Sequence, residues 1–200
     1  KKVIKNWSKG LSVFISQKTL FKTRPIVGII HAGVAWGFTL YLLVNIIDVM
    51  YGMIPGFHFF PNSVIGDIYR LFVDIFTLIV LLGVLLLLMR RFVAKDQRLK
   101  INEPVLLSAA AKRGIKIDSF IVGTFILLHV GFRLISASFE VALNGQDWSQ
   151  PGATLLSYAW SGLSEEYLIF GEHLGWWMAL GLILGFMPYF PYSKHAHLFM

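Results

Sequence analysis

The sequence predicts an all-α integral membrane protein, a bundle of four transmembrane helices preceded by an N-terminal interfacial amphipathic helix. Three observations carry this. Hydrophobic residues make up 56% of the chain and charged residues only 14%, with a mean hydropathy of +0.66, whereas soluble domains are about a quarter charged. Four apolar runs, 25–49, 68–89, 117–136 and 167–190, approach or exceed the ~20 residues that a helix needs to cross a ~30 Å hydrocarbon core. Stretches such as "FTLIVLLGVLLLLM" lack the period-two alternation of barrel strands, so the backbone must be satisfied within helices.

Residues 1–24 alternate basic and apolar positions. Val3, Ile4, Trp7, Leu11, Phe14 and Ile15 fall near helical spacing, the pattern of a helix lying in the interface with its lysines toward headgroups. The first span follows Pro25. The loop after it, "YGMIPGFHFFPNS", has the aromatic, Gly and Pro content of an interfacial belt and turn. The second span carries Arg70 and Asp74 near its head, four residues apart, and a simple ion pair between them is one reading of Arg70. In the loop 90–116, Pro104 is placed to open a short surface helix that Gly114 ends. The third span leads into the longest loop, 139–164, where "GQDWSQPGATLLSYAWSG" suggests turns and one helical piece across the bundle mouth. Ser164 is a good N-cap for the fourth helix, with Glu165 and Glu166 complementing its dipole. That helix is expected to reach Pro188 or to kink there.

Charge sets the orientation. Sixteen of the eighteen Lys and Arg residues lie before Arg24 inclusive, between Arg90 and Lys116, or at Lys194. The opposite loops hold Asp48, Asp67, Glu140, Asp147, Glu165, Glu166 and Glu172 and no Lys or Arg. The positive-inside rule then puts both termini of this multi-pass chain in the cytoplasm; the membrane is expected to be the cytoplasmic membrane of a bacterial or archaeal cell. The net charge of +7 reads as topology and anionic-lipid contact rather than nucleic-acid binding. The absence of cysteine excludes thiolate-held iron–sulfur clusters and covalent c-type haem on this chain. The chain does not begin with Met and stops within an apolar stretch, and it reads as a piece of a longer polypeptide.

Four of the six histidines, His31, His129, His173 and His195, lie within or at the ends of the spans. Ionisable groups at that depth are costly and point to function. One explanation covers all four: two haems b, each held between two histidines from facing helices. Counting ~1.5 Å per residue, the depths pair His31 with His195 near the cytoplasmic side and His129 with His173 nearer the outside. Small residues near these histidines, among them Gly28, Gly33, Gly37, Gly123, Gly131, Gly171, Gly175, Gly181 and Gly185, leave room for a macrocycle, although such residues also mediate plain helix packing in lipid. His195 and His197 point about 200° apart on a helix, so one can face the bundle; His195 is preferred and His197 is the alternative ligand. Arg133, four residues after His129, and Arg70 are candidate partners of haem propionates, as is Lys194. The competing readings of the histidines are interhelical hydrogen bonding and, for His58, an interfacial position.

The segments "RPIVGIIHAGVAWGF", "FILLHVGFRL" and "EHLGWWMALGLILGFMPYFPYSKHAHLF" and the spacing of four spans resemble the gamma-subunit-like cytochrome b domain of respiratory nitrate reductases. The likeness is closer to the N-terminal domain of membrane iron–sulfur oxidoreductases of the heterodisulfide-reductase type, some of which link electron-transfer flavoprotein to menaquinone. It covers most of residues 24–200. The resemblance implies a dihaem, quinone-reactive domain over 25–200 whose iron–sulfur partner is a following domain or a separate cytoplasmic protein. Nitrate reductase gamma subunits take two ligands from each of two helices, whereas here they fall one, one and two. Quinone contacts would come from Ser193, Lys194 and His197 inside or from Asp67, Arg70 and Glu172 outside. The rivals are a haem-free anchor for a cytoplasmic enzyme and a small transporter or proton channel with a histidine relay.

Overall fold

The computed structural model describes residues 7, 10–13, 15, 16, 21, 22, 25–60, 63–96, 99 and 108–193. It is all-α, with no strand among the described residues. Helix α1 spans Pro25–Met53, α2 Val64–Leu88, α3 Ala109–Asn144, α4 Pro151–Ser157 and α5 Glu165–Phe186. A π turn, Met89–Val93, extends α2, and 3₁₀ turns follow α4 (Tyr158–Trp160) and α5 (Phe190–Tyr192). α1, α2 with its π turn, α3 and α5 are each long and apolar enough to cross a membrane. Buried residues make up only 17% of the apolar window of α5 and 33% of that of α2. Apolar side chains such as Phe72, Leu82, Leu86, Phe120 and Leu184 are turned outward, as befits a protein whose solvent is lipid rather than water.

The amphipathic segment 1–24 is described only at nine positions, all helical, with Trp7, Leu11, Val13 and Ile15 exposed. The chain divides into two units at residue 59. In the first, α1 is a single helix of 29 residues, about 44 Å long at 1.5 Å per residue, followed by a turn in which His58 meets Tyr51 edge-on at 5.5 Å.

The second unit holds the remaining helices, and its local signals explain their bounds. Ser63 opens α2: its hydroxyl accepts from the Gly66 amide at 3.2 Å and donates to the Phe60 carbonyl at 2.8 Å. Gly66 is obligatory there, because a Cβ would strike the Phe60 carbonyl. Ser108 opens α3 by accepting from the Ala111 amide at 3.1 Å. The expectation of a short surface helix ending at Gly114 fails: α3 runs unbroken from Ala109 to Asn144. Gly114 has open space around it, and the modest propensity cost of one glycine does not stop a helix whose flanking turns continue into an apolar span. Pro104 lies outside the described residues. α5 starts at Glu165 as expected but ends at Phe186, two residues short of Pro188. Proline has no N–H to continue the ladder, and the chain leaves in a turn closed by the Tyr189 amide on Phe186 O at 2.9 Å.

α3 and α5 run antiparallel in close register. Gly171 lies under the Phe139 ring, where a Cβ would come within 2.5 Å of it, and a Cβ on Gly175 would come within 3.0 Å of Phe132 O and Ser136. The Ser136 hydroxyl donates to Glu172 O at 2.9 Å. Short helix α4 packs against α3 and α2, and buried Asp74 of α2 anchors it. The Asp74 carboxylate accepts from the amides of Gly152 at 2.6 Å and Ala153 at 3.0 Å. Pro151 sits in the first turn of α4, and no side-chain cap comes from Gln150. Asp74 therefore supplies from another helix the N-terminal acceptor that α4 lacks. This corrects the expected Arg70–Asp74 pair: Arg70 is instead paired with Asp67 and, at 3.2 Å, with Asp147, and donates to Ser149 Oγ at 3.1 Å.

Candidate functional site

His129 is the buried candidate. It faces α5 from the middle of α3, with 6% of its surface exposed, and its Nδ1 lies 3.0 Å from the Ala179 carbonyl oxygen. A carbonyl can only accept, so the hydrogen rests on Nδ1 and Nε2 carries the lone pair. Metal-bound histidines are commonly oriented in this way, by a backbone acceptor on one ring nitrogen. The Nε2 atom is itself buried.

An aromatic column continues from this ring toward the basic end. Phe125, one turn before His129, stacks on it with ring centres 5.8 Å apart and planes 9° from parallel. Phe186 of α5 stacks on Phe125 at 3.9 Å, and Tyr189 lies 5.6 Å beyond. The Tyr189 hydroxyl donates to Asp118 Oδ1 at 2.7 Å, and this bond, with burial adding to it, holds the phenol above its ordinary pKa. Along the column lies a shallow groove of about 410 Å³, lined by Ile121 and Phe125 from α3 and by Trp177, Gly181, Gly185 and Phe186 from α5, among others. Sequence reasoning missed Phe125, Phe186 and Tyr189. Phe125 had a signal, since i and i+4 share a helix face; Phe186 and Tyr189 come from another helix and had none.

Within the second unit, His173 sits apart from His129. The α3–α5 register sets Ala179 opposite His129 and Glu172 opposite Ser136, so His173 lies about six residues, or ~9 Å, toward the acidic end. It is exposed, as is His31 on α1. The structure thus does not bring His129 and His173 together. Nor do all the small residues leave room: Gly171 and Gly175 permit close helix contact and Gly123 meets Leu88, while Gly131, Gly181 and Gly185 have open space where a Cβ would stand. Arg133 is half-buried one turn beyond His129, in a charged group with Glu140, Glu172, Arg70 and Asp147. Lys194, His195 and His197 lie outside the described residues, while neighbouring Ser193 is buried with its hydroxyl on Phe190 O at 2.8 Å. Among the described residues, no group of three or more His, Asp or Glu side chains is arranged to hold a metal ion; a haem held by two histidines would form no such group.

At the acidic end, Asp147 ties the loop after α3 together. Partial burial alone would raise its carboxyl pKa. Hydrogen bonds from Ser149 Oγ, Gln150 Nε2 and the Ser149 amide, with the nearby Arg70 guanidinium, outweigh this and hold it below the ordinary value.

No family model matches the chain, and no solved structure does. Among characterised proteins, the chain is 29% identical over 191 residues, 91% of its length, to a probable iron–sulfur-binding oxidoreductase, FadF, of Bacillus subtilis. It is 25% identical over 199 residues, 96% of its length, to EtfAB:quinone oxidoreductase of Syntrophomonas wolfei. It spans about a quarter of these relatives, 24% and 26% of their lengths. The chain is therefore related to oxidoreductases, one iron–sulfur-binding and one quinone-linked by name, and contributes to that likeness four helices fit for a multi-pass membrane protein.

Proposed function

We propose that the chain is the membrane electron-transfer domain of a quinone-linked oxidoreductase, a cytochrome b over residues 25–200. In this reading it carries electrons between a menaquinone-type quinone and a cytoplasmic iron–sulfur domain or subunit linked to electron-transfer flavoprotein. The names of the two relatives support the quinone and iron–sulfur parts. The observation that carries the haem part is His129: buried at the middle of a span, with Nδ1 held by the Ala179 carbonyl and Nε2 left as the basic nitrogen.

Haem b, when bound, supplies a one-electron carrier at its iron. The chain's part is to hold and shield it. His129 Nε2 would hold the haem iron, and the Ala179 carbonyl would fix its tautomer and strengthen it as a donor. Phe125 and Phe186 keep water from the ring on the basic side. The further ligand candidates are His31, His173 and His195, with His197 the alternative to His195. Arg133, Arg70 and Lys194 are candidate partners of propionates or quinone. The basic end is taken as cytoplasmic, which places the partner protein beside the π turn and the end of α5.

A proton channel is the weaker reading, because Asp74 and Asp118 are taken up by the α4 amides and by Tyr189 rather than facing a shared cavity with His129. The test is the reduced-minus-oxidised visible spectrum of the purified protein. The expected result is b-type bands from two haems, with His129→Ala losing one of them. A flat difference spectrum would return the protein to a haem-free anchor in which His129 only pins α3 to α5.

A further inference from the structure

We propose that the pocket of about 470 Å³ between the π turn after α2 and the first two turns of α3 binds the headgroup phosphate of an anionic phospholipid. The inference rests on neither haem nor quinone. Arg91, Lys95, Lys112 and Lys116 line the pocket, and among the described residues Asp96 is its single acid. That acid is already neutralised, since one oxygen of Asp96 accepts from Arg90 Nε at 2.8 Å and Nη2 at 2.6 Å. Among the described residues, Lys95, Lys112 and Lys116 have no carboxylate within ion-pair distance. Four basic side chains thus line one pocket in which, among the described residues, Asp96 is the only acid and is held by Arg90.

The backbone builds this convergence. The π turn, closed by the Ala94 amide on Met89 O at 2.9 Å, turns Arg91 and Phe92 toward α3: Arg91 Nη2 donates to Ile115 O at 3.4 Å, and Phe92 meets Phe120 edge-on at 5.8 Å. π turns in helices are frequent at functional sites. Lys95 follows with φ at +48°, a left-handed conformation that a residue with a Cβ adopts only at a cost. Lys112 and Lys116 stand one turn apart on the same face of α3.

The apolar walls decide between a lipid and a free anion. Phe92, Leu99 and Ile115 line the same pocket, which sits where the apolar lengths of α2 and α3 give way to their basic ends. A phosphate joined to acyl chains satisfies both surfaces at once, the phosphate on the cations and the chains along Phe92 and Phe120. Inorganic phosphate would leave the apolar wall unused. Basic pockets between spans at the cytoplasmic face are known to take anionic headgroups.

The experiment titrates the purified full chain, in zwitterionic detergent, with phosphatidylglycerol and reads bound lipid by native mass spectrometry. The wild type should retain one phosphatidylglycerol in preference to phosphatidylcholine. Lys112→Gln should weaken retention about fivefold, the value of one cation near a phosphate, and adding Lys116→Gln should weaken it further. Arg113→Gln removes the same charge from α3 outside the lining and should change retention less than about twofold. Lys112→Arg keeps the charge and should keep the lipid, which guards against a folding defect. Equal loss in the Lys112 and Arg113 variants would overturn the site in favour of diffuse surface charge. Equal retention of phosphatidylcholine, or displacement of the lipid by an equal concentration of inorganic phosphate, would overturn the lipid assignment.

Discussion

The two halves of the α3–α5 pair are made from similar residues and do opposite things. Toward the acidic end the helices are zipped: Gly171 takes the Phe139 ring, Gly175 takes the backbone at Phe132 and Ser136, and Trp160 caps the contact by stacking on Phe139 at 4.4 Å and donating to Ser138 Oγ at 2.9 Å. Toward the basic end Gly181 and Gly185 meet nothing, and the aromatic column and its groove lie beside them. In lipid, helix association depends on close van der Waals contact and interhelical hydrogen bonds rather than on hydrophobic burial. Both halves are tied, the acidic one by glycines packed against the facing helix and the basic one by His129 on the Ala179 carbonyl and Phe125 on Phe186, but only the basic half leaves its glycines open beside a groove that a ligand could enter.

The largest break in that comparison comes from the zipped half. Gly175→Leu forces a side chain into rigid backbone, where nothing can rotate away. We expect a loss of about 3 kcal/mol or more, read as a lower melting temperature in detergent. The same substitution at Gly181 should leave the melting temperature nearly unchanged. If both positions prove equally sensitive, the two halves are packed alike and the contrast is gone.

Much of this was legible in the sequence, and the rest fails for one reason. Span number, helix identity, the Ser164 boundary and the helical piece in the long loop all follow from apolar length and local capping chemistry, which act within one segment. His129 stood out because a histidine in an apolar run is rare. Which glycines are tight and which are open was not readable, since "GEHLGWWMALG" carries Gly171, Gly175 and Gly181 at helical spacing without saying which meets α3. The role of Asp74 was hidden in the same way. A local rule offered it Arg70 at four residues' distance, but the Pro151 helix start, distant in sequence, presents two amides without an acceptor and takes the carboxylate instead.

That competition gives the next prediction. Asp74→Ala leaves the Gly152 and Ala153 amides without their acceptor in a buried place, worth about 2 kcal/mol. Hydrogen exchange should rise across 151–160 while the zipped contact at Gly175 stays protected. Uniform loss of protection through α3 and α5 would mean that α4 is part of the zip rather than a lid set on it.

Acid should loosen the same end more gently. The Asp147 carboxyl is held below its unfolded pKa, so its contribution is complete above the unfolded value, near 4, and is lost as pH falls through the lower folded value. With 32% of the side chain exposed, solvent screening keeps the effect below about 1 kcal/mol. Asp147→Asn should flatten that part of the acid limb of a stability–pH curve. An unchanged acid limb would show that the Ser149, Gln150 and Arg70 contacts do not favour the charged form.

The smallest expected effect probes the open half directly. At Gly181 a methyl group meets no atom within 4 Å, so Gly181→Ala should cost nothing in packing and gain about 0.5 kcal/mol from lower backbone entropy in the unfolded chain. A gain of that sign says only that the space is empty of protein. Gly181→Leu separates the two meanings of empty space, because its side chain projects into the groove while the helix contact below is untouched. If the groove only faces lipid tails, the leucine replaces one apolar neighbour with another, and both the melting temperature and the b-type absorption stay as in the wild type. If the groove receives haem or quinone, the melting temperature still holds but the absorption per chain or the rate of reduction by a soluble quinol falls. Stability and occupancy then part company at one residue, which the zipped glycines cannot do, since there any larger side chain changes both together.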